Sequence, residues 1–152
     1  MKQLKYKIKY VIINFSSKNI KIIINGDGSD EVLGGYIFNY YAPSPEAFHD
    51  SCLKYTKNIH MYDGRRLDRT LAYFGLEARV PFLRKKFIEA YLSIDVKLRM
   101  PTNGIEKSLL RDAFKDTNYL PQDVLYRKKE AFSDGVSTKK RSWYTILQEY
   151  ID

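Results

Sequence analysis

Apolar and polar positions change period twice within the first forty residues. Leu4, Ile8, Val11, Ile12 and Phe15 recur at helical spacing, with Lys2, Lys5, Lys7 and Lys9 mostly around the rest of the wheel. That pattern predicts an amphipathic helix ending near Ser16. Ile20-Lys21-Ile22-Ile23-Ile24 is then a β-branched, nearly continuous apolar run, which suits a strand buried on both faces of a parallel sheet. The run stops at Asn25-Gly26-Asp27-Gly28-Ser29-Asp30-Glu31, where Ser29 is the expected N-cap of a new helix with acids in its first turn.

Beyond Gly34-Gly35 the chain reads as helical. Pro43 to Pro45 leads into a helix from about Glu46 to Lys57, and a second runs from about Met61 to Phe74 with Arg65, Arg66 and Arg69 on it. Val80-Pro81-Phe82-Leu83 reads as a short extended insert. Helices follow near Lys85 to Leu92 and Ile105 to Phe114, then a basic loop from Tyr126 to Gly135, then a last helix from Arg141 to Tyr150. Helix, strand, loop and helix in that order predict an α/β fold, mostly helical in this chain, with the acidic loop at the carboxyl end of the strand. Open α/β sheets bind ligands at that edge. No second strand is expected, and since one strand makes no sheet, the rest of the sheet is expected to lie elsewhere.

At 152 residues the chain suits one domain. Its 44% hydrophobic and 29% charged residues are those of an ordinary globular protein. The 13 tyrosines can fill a core or lie where a partner covers them. Net charge is +8, but six lysines and no acid precede Asp27, which leaves 20 bases against 18 acids in the remainder. A charge excess confined to one lead-in segment reads as a solvated helix face, so no nucleic-acid partner is expected. Cys52 is the only cysteine, which excludes an internal disulfide and suits a reducing, cytoplasmic setting. The opening mimics a signal peptide, but lysines and tyrosines interrupt its apolar run and no small-residue cleavage site follows. Nothing approaches a membrane span.

The chemistry concentrates at Gly26-Asp27-Gly28-Ser29-Asp30-Glu31, three carboxylates and a hydroxyl on a glycine-hinged turn. Glycines let a backbone approach a ligand closely, and clustered carboxylates suit Mg²⁺ bound together with phosphate. Counting from Asp27, an EF-hand loop would need glycine at the place of Val32. The Gly-Lys-Ser/Thr of a Walker loop is missing, Glu31 takes the third glycine's place in GxGxxG, and GxSxG does not occur. From physical chemistry alone, an acid-rich turn capping a helix explains the residues equally well.

Asn25-Gly26-Asp27-Gly28-Ser29-Asp30-Glu31, continued by Gly35-Tyr36, resembles the SGEGSDE-x-x-x-GY loop of the asparagine synthetase family. The resemblance continues through YAPSPEAF at 41–48, LDRTLAYFGLEARVPFL at 67–83, NGIEKSLLRDAF at 103–114, RKKEAFSDGV at 127–136 and SWYTILQEYID at 142–152, in the family's order. The last block is similar to the eukaryotic branch. It implies an ATP-dependent carbon–nitrogen ligase of the glutamine amidotransferase kind, soluble and cytoplasmic, that makes asparagine. The substrates would be aspartate and ATP, with ammonia taken from glutamine by a separate domain. Aspartate attacks ATP to give β-aspartyl-AMP and pyrophosphate, and ammonia displaces AMP.

The implied fold is a parallel-sheet domain like the adenine-nucleotide alpha-hydrolases, also called N-type ATP pyrophosphatases. The resemblance implies nucleotide contacts at Asn25, Gly26 and Gly28, a catalytic position at Asp27, and Mg²⁺ with pyrophosphate at Asp30. It also implies a catalytic, charge-offsetting lysine at Lys129. ATP and Mg²⁺ are the expected cofactors. A metal and a lysine aimed at phosphoryl oxygens stabilise the charge that adenylation builds there. A carboxylate beside the reacting amine can position it or take its proton.

Three departures qualify this. Asn25 replaces the family serine, Asp27 is one methylene shorter than the family glutamate, and Arg84 reverses a charge after the RVPFL turn. A misplacement near an ångström can cost about a hundredfold in rate. The family's SGGxDSS pyrophosphate loop and its glutaminase domain do not occur in residues 1–152, which are therefore expected to be an internal part of a synthetase domain, inactive alone. Three readings stay open: part of a working ligase, a catalytically incomplete remnant or interaction module, and one half of a split synthetase. The last implies a partner chain carrying the missing loop and glutaminase. Among other residues, His49 is expected to face solvent and His60 to start a helix. Glu77 and Arg79 are expected to be packing residues in a turn, and Cys52 a small buried side chain with no zinc site.

Overall fold

The computed structural model describes residues 20–127, 129 and 148–150. They fall in two compact units, Met1–Leu110 and Arg111–Asp152. The predicted helix before Ser16, most of the basic loop and most of the last helix lie outside the described residues.

The first unit begins with β1 (Ile22–Ile24) and α1 (Ser29–Leu33), then a 3₁₀ turn at Ile37–Tyr41, α2 (Pro45–Asn58), a second 3₁₀ turn at Ile59–Met61 and α3 (Asp63–Tyr73). It continues through β2 (Glu77–Arg79), a 3₁₀ turn at Pro81–Leu83, α4 (Lys85–Leu92) and α5 (Val96–Arg99). A further helix, α6 (Ser108–Asp112), spans the boundary between the units.

A second strand does exist. β2 pairs parallel to β1, with Ile22 opposite Glu77, Ile23 opposite Ala78 and Ile24 opposite Arg79. Glu77-Ala78-Arg79 has no strand propensity to announce it; the backbone of the neighbouring strand makes it one. Glu77 N–H donates to Lys21 O at 2.7 Å, and Asn25 N–H to Arg79 O at 2.8 Å. The small sheet also corrects the expectation of burial on both faces. Ile23 and Ala78 turn inward against Leu67, Leu71, Phe74 and Leu76, while Ile22 is 51% exposed and Ile24 77%. Glu77 and Arg79 are not packing residues either: they lie on the exposed face of the strand and pair with each other.

Three further boundaries move for local reasons. Gly28, at φ 90°, and not Ser29, caps α1, because the chain enters the helix through a left-handed residue. Pro81–Leu83 coils into a 3₁₀ turn closed by Leu83 N–H on Val80 O at 3.0 Å. The helix expected from Ile105 to Phe114 shrinks to α6 because Lys107 sits at φ 55°, which no right-handed helix can contain. By contrast α2 forms nearly as read: Pro45 starts it and Ser44 Oγ caps it, accepting from Ala47 N–H at 3.2 Å.

The larger core is built from Val32, Leu33 and Tyr91, with Phe82, Leu83, Phe87, Ile88, Leu92, Ile94, Leu109 and Leu110 packed on it. Phe48 and Cys52 on α2 are fully buried, and burial pushes the Cys52 thiol up to about 11 against the opposing pull of Arg99. Arg99 is 2% exposed. Its Nε donates to Ile94 O and its Nη2 meets His49 Nδ1, both at 3.0 Å. His49 is therefore half-buried as the acceptor of a buried guanidinium, not a solvent-facing residue. His60 sits in the 3₁₀ turn before α3.

In the second unit Arg111 donates to the carbonyl oxygens of Leu125 and, at 3.2 Å, Arg127. These contacts hold the end of α7 (Gln122–Leu125), whose Leu125 is buried. Among the described residues no helix is long and apolar enough to cross a membrane.

Candidate functional site

The acidic loop leaves the carboxyl end of β1 and is stitched from within. Asn25 Oδ1 accepts from Asp27 N–H at 2.6 Å, folding the side chain back over its own turn. Ser29 N–H donates to Gly26 O at 3.3 Å, and Val32 N–H to Gly28 O at 2.9 Å. Glycine is required at residue 28 on two counts: its φ is left-handed, and a Cβ there would run into the Leu83 side chain.

The three carboxylates then part company. Asp27 lines a cleft of about 370 Å³ whose other walls come from α3 (Gly64, Leu67, Asp68, Leu71), from β2 and its approach (Leu76, Glu77, Ala78), and from Val80 and Leu83. Partial burial raises the Asp27 carboxyl above its ordinary value. Asp63 raises it further, and Arg66 pulls the other way. Asp63 and Arg66 are themselves an ion pair at 2.5 Å.

Asp30 belongs to a different contact. Its Oδ1 lies 2.6 Å from Lys107 Nζ, which also donates to Ser29 Oγ at 3.1 Å. Glu31 is buried at 6% exposure and accepts from the Tyr36 phenol at 2.5 Å. Burial, then that hydrogen bond, raise the Tyr36 phenol well above its usual range, so it stays a donor. Gly34, at φ 67°, has no room for a Cβ against the Phe48 ring, and a Cβ on Gly35 would strike Asp30 Oδ1 and Lys107 Cε.

Of the residues read from sequence, Asn25, Gly26, Asp27, Gly28 and Asp30 thus share one turn. Lys129 is half-buried in the second unit. Lys107 and the Glu31–Tyr36 pair were not anticipated. Tyr36 follows the Gly-Gly step without any periodic signal, and Lys107 is a single lysine 78 positions from its partner.

Among the described residues no three His, Cys, Asp or Glu side chains form a group that could hold a metal ion. Asp30, the loop carboxylate read from sequence for Mg²⁺, has its Oδ1 paired with Lys107; Mg²⁺ sites built with one or two carboxylates share the ion with a ligand's phosphates. Chemically the arrangement offers a raised carboxyl facing a mixed polar and apolar cleft, with backbone and amide groups of a tight turn beside it.

Comparison with known proteins finds a family model described as asparagine synthase matching residues 41–152. The glutamine-hydrolysing asparagine synthetase of Gallus gallus is 51% identical over 131 residues, 86% of this chain and 23% of that protein. That of Mus musculus is 47% identical and that of Homo sapiens 46%, each over 145 residues, 94% of this chain and 26% of theirs. The chain thus spans about a quarter of the length of these relatives. The family model begins after the acidic loop, whereas the likeness to the longer-matching relatives takes the loop in.

Proposed function

Because this chain belongs to the asparagine synthase family, we propose that it supplies the aspartate- and nucleotide-handling part of a glutamine-dependent asparagine synthetase, an ATP-dependent carbon–nitrogen ligase. The observation that carries this reading is the placement of Asp27 on the wall of a cleft, with its carboxyl raised.

Aspartate and ATP are the substrates, β-aspartyl-AMP the intermediate, and glutamine-derived ammonia the second nucleophile. The Asn25 amide and the Gly26 and Gly28 backbone face the nucleotide. Asp27, held by the Asn25 side chain, positions the attacking amine or takes its proton. Asp30 would hold Mg²⁺ in company with pyrophosphate, where the ion would supply positive charge against the phosphoryl oxygens. Lys129 carries the positive charge that the family resemblance assigns to offsetting phosphate and intermediate charge. The setting is cytoplasmic, and the domain is of the adenine-nucleotide alpha-hydrolase type.

A second reading, that the chain acts docked to a partner carrying the pyrophosphate loop and the glutaminase, draws support from the sheet. Among the described residues the sheet has two parallel strands with Ile22 and Ile24 exposed on one face, whereas parallel sheets normally carry a layer on each side.

The test is thermal unfolding of the purified chain with and without Mg²⁺ and a β-aspartyl-adenylate analogue, beside the Asp27→Asn variant. A ligand present at about 100 times its Kd should add roughly 2.7 kcal/mol to the stability of the wild-type chain, and the variant should lose most of that gain. A melt blind to the ligand would overturn the reading. The isolated chain is expected to form no asparagine from aspartate, ATP and ammonia.

A further inference from the structure

The acidic loop is held from outside by a residue far along the chain. Lys107 adopts φ 55°, a backbone conformation uncommon for a residue with a Cβ and maintained where the surroundings demand it. From that position its ammonium reaches both Asp30 Oδ1, at 2.6 Å, and Ser29 Oγ, at 3.1 Å. The contact is sheltered, the two side chains of the ion pair being 19% and 29% exposed, so water screens it less than a surface pair. Room for it exists because residue 35 is glycine: a Cβ there would occupy the place of the carboxylate and the lysine stem. Ser29 N–H is in turn bonded to Gly26 O, so whatever fixes Ser29 also fixes the turn that carries Asp27.

We propose that Lys107 is a positioning residue for the acidic loop, locking the first turn of α1 so that Asp27 stays on the cleft wall. The inference rests on the reading of Asp27 as the adenylate-facing carboxylate. It assigns Lys107 no contact with the ligand. Lys107 acts in two ways: it holds Ser29 in place, and it pairs with Asp30 in the first turn of α1.

The test uses the full chain with Lys107→Met, which keeps the apolar stem without the charge, and Lys107→Arg, which restores the charge. Amide hydrogen exchange over residues 25–36, the melting temperature, and the affinity for a β-aspartyl-adenylate analogue are read for each. In the Met variant, exchange over 25–36 should rise about tenfold, as losing one sheltered charged hydrogen bond implies. Exchange in α2 should stay near the wild-type rate, analogue binding should weaken about tenfold, and the Arg variant should recover both quantities. Exchange over 25–36 unchanged in the Met variant would overturn the proposal, as would loosening spread evenly through α2. If the Met variant fails to fold, Asp30→Asn breaks the same tie from its other end and is read by exchange alone, with the same two outcomes. If the loop loosens but no variant, nor the wild type, binds the analogue, the positioning role stands and the adenylate reading of the site falls.

Discussion

Around α1 the side chains are shut away, with Val32, Leu33 and Phe48 at 0% exposure and Cys52 at 1%. Behind the sheet the layer is thinner among the described residues: Leu71 and Leu76 are buried at 6%, with partly buried neighbours packed on them, and across the strands Ile22 and Ile24 are exposed. Asp27 lies where these two regions meet. Its helical side is packed to a finish and tied by Lys107 and Tyr36. Its cleft side is walled by a two-stranded sheet and one face of α3. A rigid support on one side and an unfinished wall on the other suit a residue that must keep its direction while a ligand or a further layer of protein completes its surroundings.

The comparison can be broken most directly at Phe48. Truncating this fully buried ring by Phe48→Ala should cost about 3–5 kcal/mol, read as a fall in the denaturant midpoint. Leu71→Ala, in the thinner cluster, should fall at the low end of the usual range, about 2 kcal/mol, because its surroundings can collapse. If Leu71→Ala proved the costlier, the ranking of the two regions would be wrong.

A smaller effect is expected at Asp27, with a definite sign. Its carboxyl is raised in the folded chain, so between the ordinary carboxylate value and the raised one the folded state holds more proton than the unfolded. Ionisation therefore costs stability, fully above the raised value, and the cost is relieved as pH falls through it. Asp27→Asn should melt higher than wild type at neutral pH, with the gap closing on acidification. A gap that stays constant with pH would show that Asp27 titrates normally. Smallest of all should be Ile24→Thr, on the open face of β1, within about 0.5 kcal/mol of wild type in the isolated chain. A large loss there would mean that the face is covered.

How much could be read from the residues follows from how local each signal was. The sequence pattern gives α4 its bounds and α2 its bounds within one residue at each end, the start of α2 being marked by Ser44-Pro45, neighbours in sequence. The strand Glu77–Arg79 could not be read, because a partner strand makes it and its own composition does not. N-cap preference alone points to Ser29, whereas the left-handed Gly28 takes that place and leaves the hydroxyl to Lys107. The loop itself was plain to see as a chemical site. That its three acids face three different partners was not, since Asp27, Asp30 and Glu31 are separated by where the cleft, Lys107 and Tyr36 happen to lie.

The parallel pairing of β1 with β2 carries a consequence for the order of assembly. Antiparallel neighbours can join through a two-residue turn, but these strands meet only after α1, α2 and α3 have been laid down between them. Closing so long a loop costs entropy before any contact repays it, which places the event late on the folding path. The hydrogen bond from Asn25 N–H to Arg79 O that anchors the acidic turn forms in that same step. During synthesis this tether therefore waits until the ribosome has released the segment around residue 79, well after the residues of the turn have emerged.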